Sequence, residues 1–413
     1  ILSTFFIFFF FSFYLFLISR FKDLEGFIIF SFLIKICILI INNNLFFVMD
    51  GSADALNFHN HMVEYSRKPI SIIFDKGFHG IYFLSQIGGL IYKFFGESIY
   101  LMQFLSITIS IASLILFNRT IKLLTKSKEG IFFSTLFFCI YPILLNYSIL
   151  TMREVYTVFL ILLSTFLFLK FLKSYDYKFF FLSFLPSIFL VYINGGSVVI
   201  FLVFFIFGLK IMFKRNKYNQ KNSFIKTSVF LLLFSSIFAL FFVGFENIPY
   251  LNTAEIMFRD GDFSKIIQIY EVIQFKVSSA ANYPLYLIPE DNLIDFVYKS
   301  FLRLLYFLYG PFAWELERYR HIIAFGDGLL HLFITIYLIK NYKFIIRDEK
   351  LIFILLCYVM LVATYSLGTG NFSQALRHKS KFIPLLLLIL GTTKFFNILL
   401  IFKNYSYKYK KYI

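Results

Sequence analysis

The sequence predicts an all-α fold, a polytopic bundle of transmembrane helices that forms a single membrane domain over residues 1–413. Hydrophobic residues make up 59% of the chain and charged residues 15%, and the mean hydropathy is +0.78. A soluble domain has about 45–50% apolar and about 25% charged residues. Apolar runs of roughly 20 residues recur, each long enough to cross a hydrocarbon core of about 30 Å. These spans must be helical, because lipid offers no partner for backbone N–H and C=O groups.

Roughly eleven apolar runs mark the predicted spans, and two weaker apolar segments, 79–95 and 296–310, are predicted to be interfacial or re-entrant. In 296–310, Lys299 and Arg303 fall one helical turn apart, opposite an apolar stripe, which predicts a helix lying on a membrane face. The predicted spans are residues 4–19, 27–42, 98–117, 131–148, 155–172, 179–193, 197–213, 227–245, 323–340, 351–367 and 382–402.

Lys and Arg concentrate in five short loops between the predicted spans. Alternation of the spans puts all five loops on one side, and the positive-inside rule makes that side cytoplasmic. The net charge of +17 therefore indicates membrane topology and not nucleic-acid binding. The basic loops lie near residues 119–128, 170–178, 210–226, 340–350 and 403–411.

The outer side then receives two long segments, 43–97 and 246–322, which are too small to be independent soluble enzymes. Any chemistry is therefore expected at the outer face of the membrane. Asp50 and Asp54, in DGSADALNFHNHMVEY, are the candidate catalytic residues. Either could be a general base facing a lipid-linked substrate. The alternative is a helix N-cap in a solvated loop.

Two basic features on the outer side are candidate phosphate-binding groups. Arg153 stands at the outer start of a span, against both the positive-inside trend and the helix dipole. A phosphate headgroup would explain it, since Arg binds phosphate oxygens bidentately, although local contact with Glu154 is the alternative. The cluster Arg377, His378, Lys379 and Lys381 would attract anionic lipid phosphate. Its alternative is snorkelling before the last span.

Other candidates lie near the second long outer segment or inside spans. Trp314, the only Trp, is expected to anchor at the interface, with sugar stacking as the alternative. Arg318 and Arg303 are further candidate phosphate partners. Within spans, Lys35 is expected to snorkel, and Asp327 is expected to cap a helix or to face a cavity.

The first part of the chain resembles the layout of the C-type (GT-C) membrane glycosyltransferases. It has an outer loop with carboxylates, then an interfacial helix, and then Gly96-Glu97-Ser98 before a span. A second likeness, to these proteins and to bacterial repeat-unit polymerases, lies in YPILLNYSILTMREVYTVFLILL. It is similar to the segment in which an outer-facing pair of spans meets. GNFSQALRHKSKFIPLLLLI is similar to their terminal Arg-then-Pro span. The resemblance implies an acidic residue near the acceptor and basic residues on a polyprenyl phosphate. By position these are Asp50 or Asp54, and Arg153 and Arg377.

Two departures leave the reaction open within that family. The chain has no large soluble C-terminal domain. It also lacks the Arg–ten residues–Gly spacing of some O-antigen polymerases and ligases, because Leu388 stands at that distance from Arg377. Transfer of single sugars and polymerisation of repeat units therefore both remain open.

The expected function is an integral-membrane glycosyltransferase of surface-polysaccharide assembly, in the bacterial inner membrane with its active side external. Its donor would be a glycan on polyprenyl phosphate or diphosphate, so no organic cofactor is needed. A divalent metal is allowed by this chemistry, but no metal site is predicted. The alternatives are a lipid-glycan flippase or other transporter, which should show broken helices, repeats and mid-membrane charges, and a structural partner of a larger assembly. The oligomeric state stays open.

Overall fold

The computed structural model describes residues 2–44, 51–74, 83–216, 282–290, 293–317 and 319–393, and most of them are helical. Asp50, Arg318 and the predicted span 227–245 lie outside the described residues. In chain order the helices are α1 Leu2–Arg20, α2 Glu25–Asn44, α3 Ser52–Arg67, α4 Ile70–Ile73, α5 Phe83–Phe95, α6 Ile99–Leu124, α7 Lys128–Ile140, α8 Pro142–Ile149, α9 Glu154–Ser174, α10 Tyr177–Ile193, α11 Val198–Asn216, α12 Leu293–Tyr309, α13 Tyr319–Lys340, α14 Tyr342–Ile345, α15 Glu349–Leu367, α16 Phe372–Lys379 and α17 Ile383–Thr392.

Five helices in the described part of the chain are long and apolar enough to cross a membrane, which makes this an integral membrane protein. Three shorter apolar helices coincide with further predicted spans, at Tyr177–Ile193, Gly195–Ile211 and Ile383–Thr392. The five long helices are Lys22–Asn44, Ile99–Leu124, Glu154–Ser174, His321–Lys340 and Glu349–Leu367.

The segment predicted as one span over 131–148 is broken. Helices α7 and α8 meet at an angle of 51°. Pro142 is the first residue of α8, where its missing N–H costs nothing, but it cannot continue α7. Tyr141 stands at the break, and its buried hydroxyl points into the protein.

The charged helix ends distinguish two faces of the bundle. Lys122 and Lys128 flank the turn between α6 and α7, and Lys173 and Lys178 flank the turn between α9 and α10. We call the side with these turns the basic face. The opposite face is formed by residues 142–154, 193–198 and 365–381, which contact one another through side chains.

Helix α17 lies at the centre of the bundle, buried from Ile383 to Leu390. It packs against α6, α7 and α15. The approach to α7 is so close that a Cβ on Gly130 would lie 2.1 Å from the carbonyl oxygen of Gly391. The described start of the predicted span 382–402 is therefore a core element with protein on every side.

The outer segment predicted over 43–97 contains a helical hairpin of α3 and α5. Gly88 and Gly89 of α5 let it pack directly against α3, where the nearest atoms belong to Met62 and Tyr65. Beyond the packed region, Arg67 Nε lies 3.2 Å from Glu97 Oε1. The hairpin thus presents α3, with its polar residues, at the opposite face.

Two basic side chains lie deeper in the protein than the sequence predicts. Arg303 of α12 is fully buried, while Val297 and Phe301 are each 59% exposed, so the polar edge of this helix turns inward. The guanidinium donates to the carbonyl oxygens of Thr369, at 2.6 Å, and Leu287, at 3.5 Å. The apolar edge is exposed at Val297 and Phe301 and buried at Leu308. Lys35 does not snorkel: it is buried and donates to Ser31 Oγ.

The contact between α3 and α5 gives a stability prediction. A Cβ at Gly89 would lie 2.5 Å from the Tyr65 Cβ and 3.2 Å from the Met62 carbonyl oxygen, neither of which can move freely. We expect Gly89→Ala to lower the free energy of unfolding by about 1–3 kcal/mol through overpacking. Thermal unfolding of the detergent-purified protein measures this. Gly26→Ala is the control, because nothing lies within 4 Å of its Cβ position. Equal Tm values for the two variants would contradict the packing described.

Candidate functional site

The short helix α16 carries basic side chains into the protein interior. Asn371 caps it by accepting a hydrogen bond from the Gln374 N–H at 2.7 Å. The basic residues at its other end suit the negative end of the helix dipole. Lys379 and Lys381 have no exposed surface, and His378 is buried. Lys379 and Lys381 therefore do not snorkel, because carboxylates from distant parts of the chain lie beside this cluster inside the protein. Binding of a lipid phosphate by the cluster stays a prediction.

Glu154 is the buried carboxylate at the centre of this charged site. It is the first residue of α9 and has no exposed surface. Its Oε1 accepts a hydrogen bond from Arg377 Nε at 2.6 Å. Lys381 Nζ lies 3.8 Å from the same oxygen, and Arg153 Nε lies 3.9 Å from it. Three cationic side chains therefore surround one carboxylate.

Arg377 connects this buried carboxylate to the surface. Its Nη1 donates to Asp54 Oδ2 at 2.5 Å. The Asp54 side chain is 53% exposed and that of Arg377 is 16% exposed. Asp54 lies in the first turn of α3, where Gly51 takes the N-cap position with φ 106°, so Asp54 is not the cap. Asp54, Arg377 and Glu154 form a continuous chain from the rim to the interior.

A histidine and a lysine lie behind the arginine. Lys381 Nζ is 2.7 Å from His378 Nδ1, and the His378 ring stacks on Tyr365 with centroids 4.6 Å apart. Burial lowers the pKa of His378 well below its ordinary value, and the charges of Lys381, Arg377 and Arg153 add to this effect. His378 is therefore neutral near pH 7. Burial also lowers the pKa of Lys381 well below its usual range, although Glu154 opposes that shift.

A second buried network lies on the other side of α16. Lys379 Nζ donates to Asp327 Oδ2, and the Tyr141 hydroxyl donates to Asp327 Oδ1 at 2.7 Å. His331, one turn along α13, has its Nδ1 3.4 Å from Asp327 Oδ2. Asp327 therefore does not cap a helix. It joins α13 to α16 and to the break between α7 and α8.

A small cavity of about 20 Å³ lies beside Glu154, between α2, α6, α8 and α9. Lys35, Ser110 and Ser148 line it together with Glu154. Glu154 Oε2 accepts no hydrogen bond from any residue that the structure describes. A space of this size, with several polar side chains among its mostly apolar walls, suits an ordered water molecule.

The structure brings four of the predicted site residues together and places three others, Lys379, Arg303 and Trp314, elsewhere. Asp54, Arg153, Arg377 and His378 share one cluster. Arg153 and Arg377 lie beside the same carboxylate, close enough to bind one phosphate together. That they bind a phosphate stays a prediction. Lys379 belongs to the Asp327 network, and Arg303 is held by backbone carbonyls.

Trp314 lies apart from these clusters. It is 79% exposed and stacks on Phe312 with ring centroids 5.0 Å apart. Asp50 and Arg318, the remaining predicted site residues, fall outside the described residues.

Four important residues were not among the predicted site residues. Glu154 was weighed only as a local partner of Arg153. Asp327 and His331 carry a readable signal, because two ionisable residues four apart on an apolar helix share one face. Tyr365 has no such signal, since a Tyr at the end of an aromatic-rich span is unremarkable in this sequence.

No family model matches this chain, and no curated protein matches it significantly. Within the described ranges, no three His, Cys, Asp or Glu side chains come together as a metal site. The function must therefore be argued from the charged cluster.

The Glu154 cluster predicts a large effect of a conservative substitution. Glu154→Gln keeps the shape but leaves Arg377 and Arg153 beside a neutral amide in the interior. We expect a loss of about 3–5 kcal/mol in the free energy of unfolding, the usual cost of an uncompensated buried charge. Asp54→Asn, which breaks an exposed ion pair, should cost no more than about 1 kcal/mol. Thermal unfolding of both purified variants compares them, and equal losses would contradict the burial of Glu154.

His378 predicts a pH dependence of stability. Its pKa lies below the ordinary 6.5 in the folded protein, so below pH 6.5 the unfolded chain takes up a proton that the folded chain does not. Stability should therefore fall as the pH drops from 6.5, by up to about 1.4 kcal/mol per pH unit. Tm measured from pH 8 to pH 5 should drop less in His378→Gln than in the wild type. Parallel curves would show that His378 contributes nothing to the acid sensitivity.

Proposed function

We propose that this protein is an integral-membrane glycosyltransferase of the GT-C type, which transfers a sugar or oligosaccharide from a polyprenyl phosphate or diphosphate. The observation that carries the proposal is the chain Asp54–Arg377–Glu154. In it, a half-exposed carboxylate contacts an arginine that a buried carboxylate holds in place. Transfer from a phosphate-linked donor needs these two groups side by side, a base for the acceptor and a cation for the leaving group.

The chemistry follows from the charges at this site. The acceptor hydroxyl attacks the anomeric carbon, the new C–O bond forms, and the bond from that carbon to the phosphate oxygen breaks. Asp54 takes the hydroxyl proton as general base. The electrons of the broken bond leave with the phosphate, and Arg377 and Arg153 stabilise its growing negative charge. Glu154 keeps the Arg377 guanidinium in position through its Nε.

The same proposal gives the protein its orientation. The basic face is cytoplasmic under the positive-inside rule, so the Asp54 cluster faces the outside of a bacterial inner membrane. The lysines that flank the α6–α7 and α9–α10 turns support this assignment. Arg303 takes a structural part, because its buried guanidinium bonds to carbonyl oxygens. Trp314 remains free to anchor the protein or to stack on a sugar.

A lipid-glycan flippase or other transporter is the second candidate, favoured by the Asp327 network. Transporters place charged residues beside broken helices within the membrane. Here the break between α7 and α8 places Tyr141 against Asp327, with His331 and Lys379 as further partners. This network would serve a transporter, whereas the Asp54 cluster would serve a transferase.

The proposed transferase activity predicts the effects of two substitutions. As a transferase, the purified protein with a polyprenyl-linked sugar donor should lose about 10²–10⁴-fold in turnover on Asp54→Asn, because the base is gone. Arg377→Lys should also lower turnover, since Lys keeps the charge but loses the planar fork. Glu64→Gln is the matched control, an exposed carboxylate of the same helix that pairs with Lys68.

Mass spectrometry of lipid-linked glycans from cells lacking the protein separates the alternatives. Unextended precursors indicate a transferase, and accumulated single repeat units indicate a polymerase. Complete lipid-linked glycans confined to the inner leaflet would instead support the transporter, and Asp327→Asn should then reproduce that defect. Full turnover in Asp54→Asn would remove Asp54 from the mechanism.

A further inference from the structure

In the ligand-free protein, the proposed base and the proposed phosphate holder neutralise each other. Asp54 Oδ2 lies 2.5 Å from Arg377 Nη1, so the carboxylate that should accept a proton is engaged in an ion pair. The guanidinium that should receive the phosphate is occupied at the same time. A working enzyme must break this contact during each catalytic cycle.

The two sides of Arg377 differ in how firmly they are held. Nε donates at 2.6 Å to Glu154, which is fully buried and has two further cations beside it. Nη1 points to the rim and meets a carboxylate that is 53% exposed. The inner contact fixes the guanidinium, and the outer contact is the one that a ligand from solution or from the membrane surface can replace.

We infer that the Asp54 carboxylate occupies the place of a donor phosphate oxygen, so that phosphate binding at Arg377 displaces Asp54 and frees it to act as the base. This inference rests on the proposed function and names the ligand group of that same site, a phosphomonoester or diphosphate. Asp54 thus has two states: paired with Arg377 when the site is empty, and available to the acceptor hydroxyl when the donor is bound.

The charges around Arg377 favour this exchange. With Asp54 displaced, the outer side of the Arg377 guanidinium has lost its carboxylate, and Arg153 lies beside the same Glu154 oxygen as Arg377, so the site attracts a phosphate. A phosphate can take both outer N–H groups of the guanidinium, whereas Asp54 takes only Nη1. The freed Asp54 stays in the first turn of α3, where the helix dipole favours a negative charge.

The exchange sets the order of binding. An acceptor that arrives at an empty site finds Asp54 already paired and cannot be deprotonated. The donor must bind first, and the base becomes available only beside a donor whose leaving group is already held. The site would in this way couple activation of the acceptor to the presence of the donor.

Binding measurements on the full-length purified protein test the displacement. Inorganic diphosphate is titrated into the detergent-solubilised protein by calorimetry. A short polyprenyl phosphate, with the matching polyprenol as control, is titrated into protein in nanodiscs, which distinguishes a free phosphate from a lipid headgroup as the natural source. The variants are Asp54→Asn, which removes the competing carboxylate, and Glu64→Gln, which removes one negative charge from the same helix without touching Arg377.

We expect Asp54→Asn to bind the phosphate probes about two- to fivefold more tightly than wild type, the range of an exposed ion pair. Glu64→Gln should bind like wild type, and the polyprenol should not bind more tightly in Asp54→Asn. Unchanged or weaker phosphate binding by Asp54→Asn would overturn the displacement while leaving the proposed function standing. If neither wild type nor any variant binds a phosphate probe, the proposed function fails together with the inference.

Discussion

The ion pairs between buried charged side chains are the interactions on which this structure depends. A charged side chain inside protein or lipid costs several kcal/mol unless an opposite charge lies beside it. Helix α16 carries Arg377 and Lys379, and each has its own carboxylate, Glu154 on α9 and Asp327 on α13. Because these carboxylates are far apart in sequence, their ion pairs with Arg377 and Lys379 join separate regions of the bundle around one short helix. The packing of α9 and α13 at the opposite face depends on those two ion pairs.

The geometry of an α-helix explains why there are two networks. Residues two apart point about 200° away from each other, so Arg377 and Lys379 leave α16 on nearly opposite sides. The Arg377 side reaches the half-exposed Asp54 and so has access to ligands. The Lys379 side meets Asp327, Tyr141 and His331 in the interior. One helix therefore supports both a surface-linked cluster and an enclosed one.

Composition was sufficient to predict helical spans and an integral membrane protein, because no other arrangement satisfies so many apolar runs. The sequence also pointed to Arg153 and Arg377, since each stood where basic residues should be scarce. It could not show that the Arg377 cluster is buried, because Glu154 precedes Arg377 by more than two hundred residues. The sequence did not reveal that Arg303 of α12 is buried, for a related reason. An amphipathic pattern shows that a helix has two different edges, but not which edge meets protein.

The central position of α17 bears on how the protein is made. This helix is surrounded by α6, α7 and α15, all of which leave the ribosome before it does. The earlier helices must therefore wait in the membrane with an unfilled gap between them, occupied by lipid chains or closed by a looser arrangement. Only when α17 enters, with its backbone against Gly130, can the bundle reach its final packing. Assembly of the core is thus completed late in synthesis.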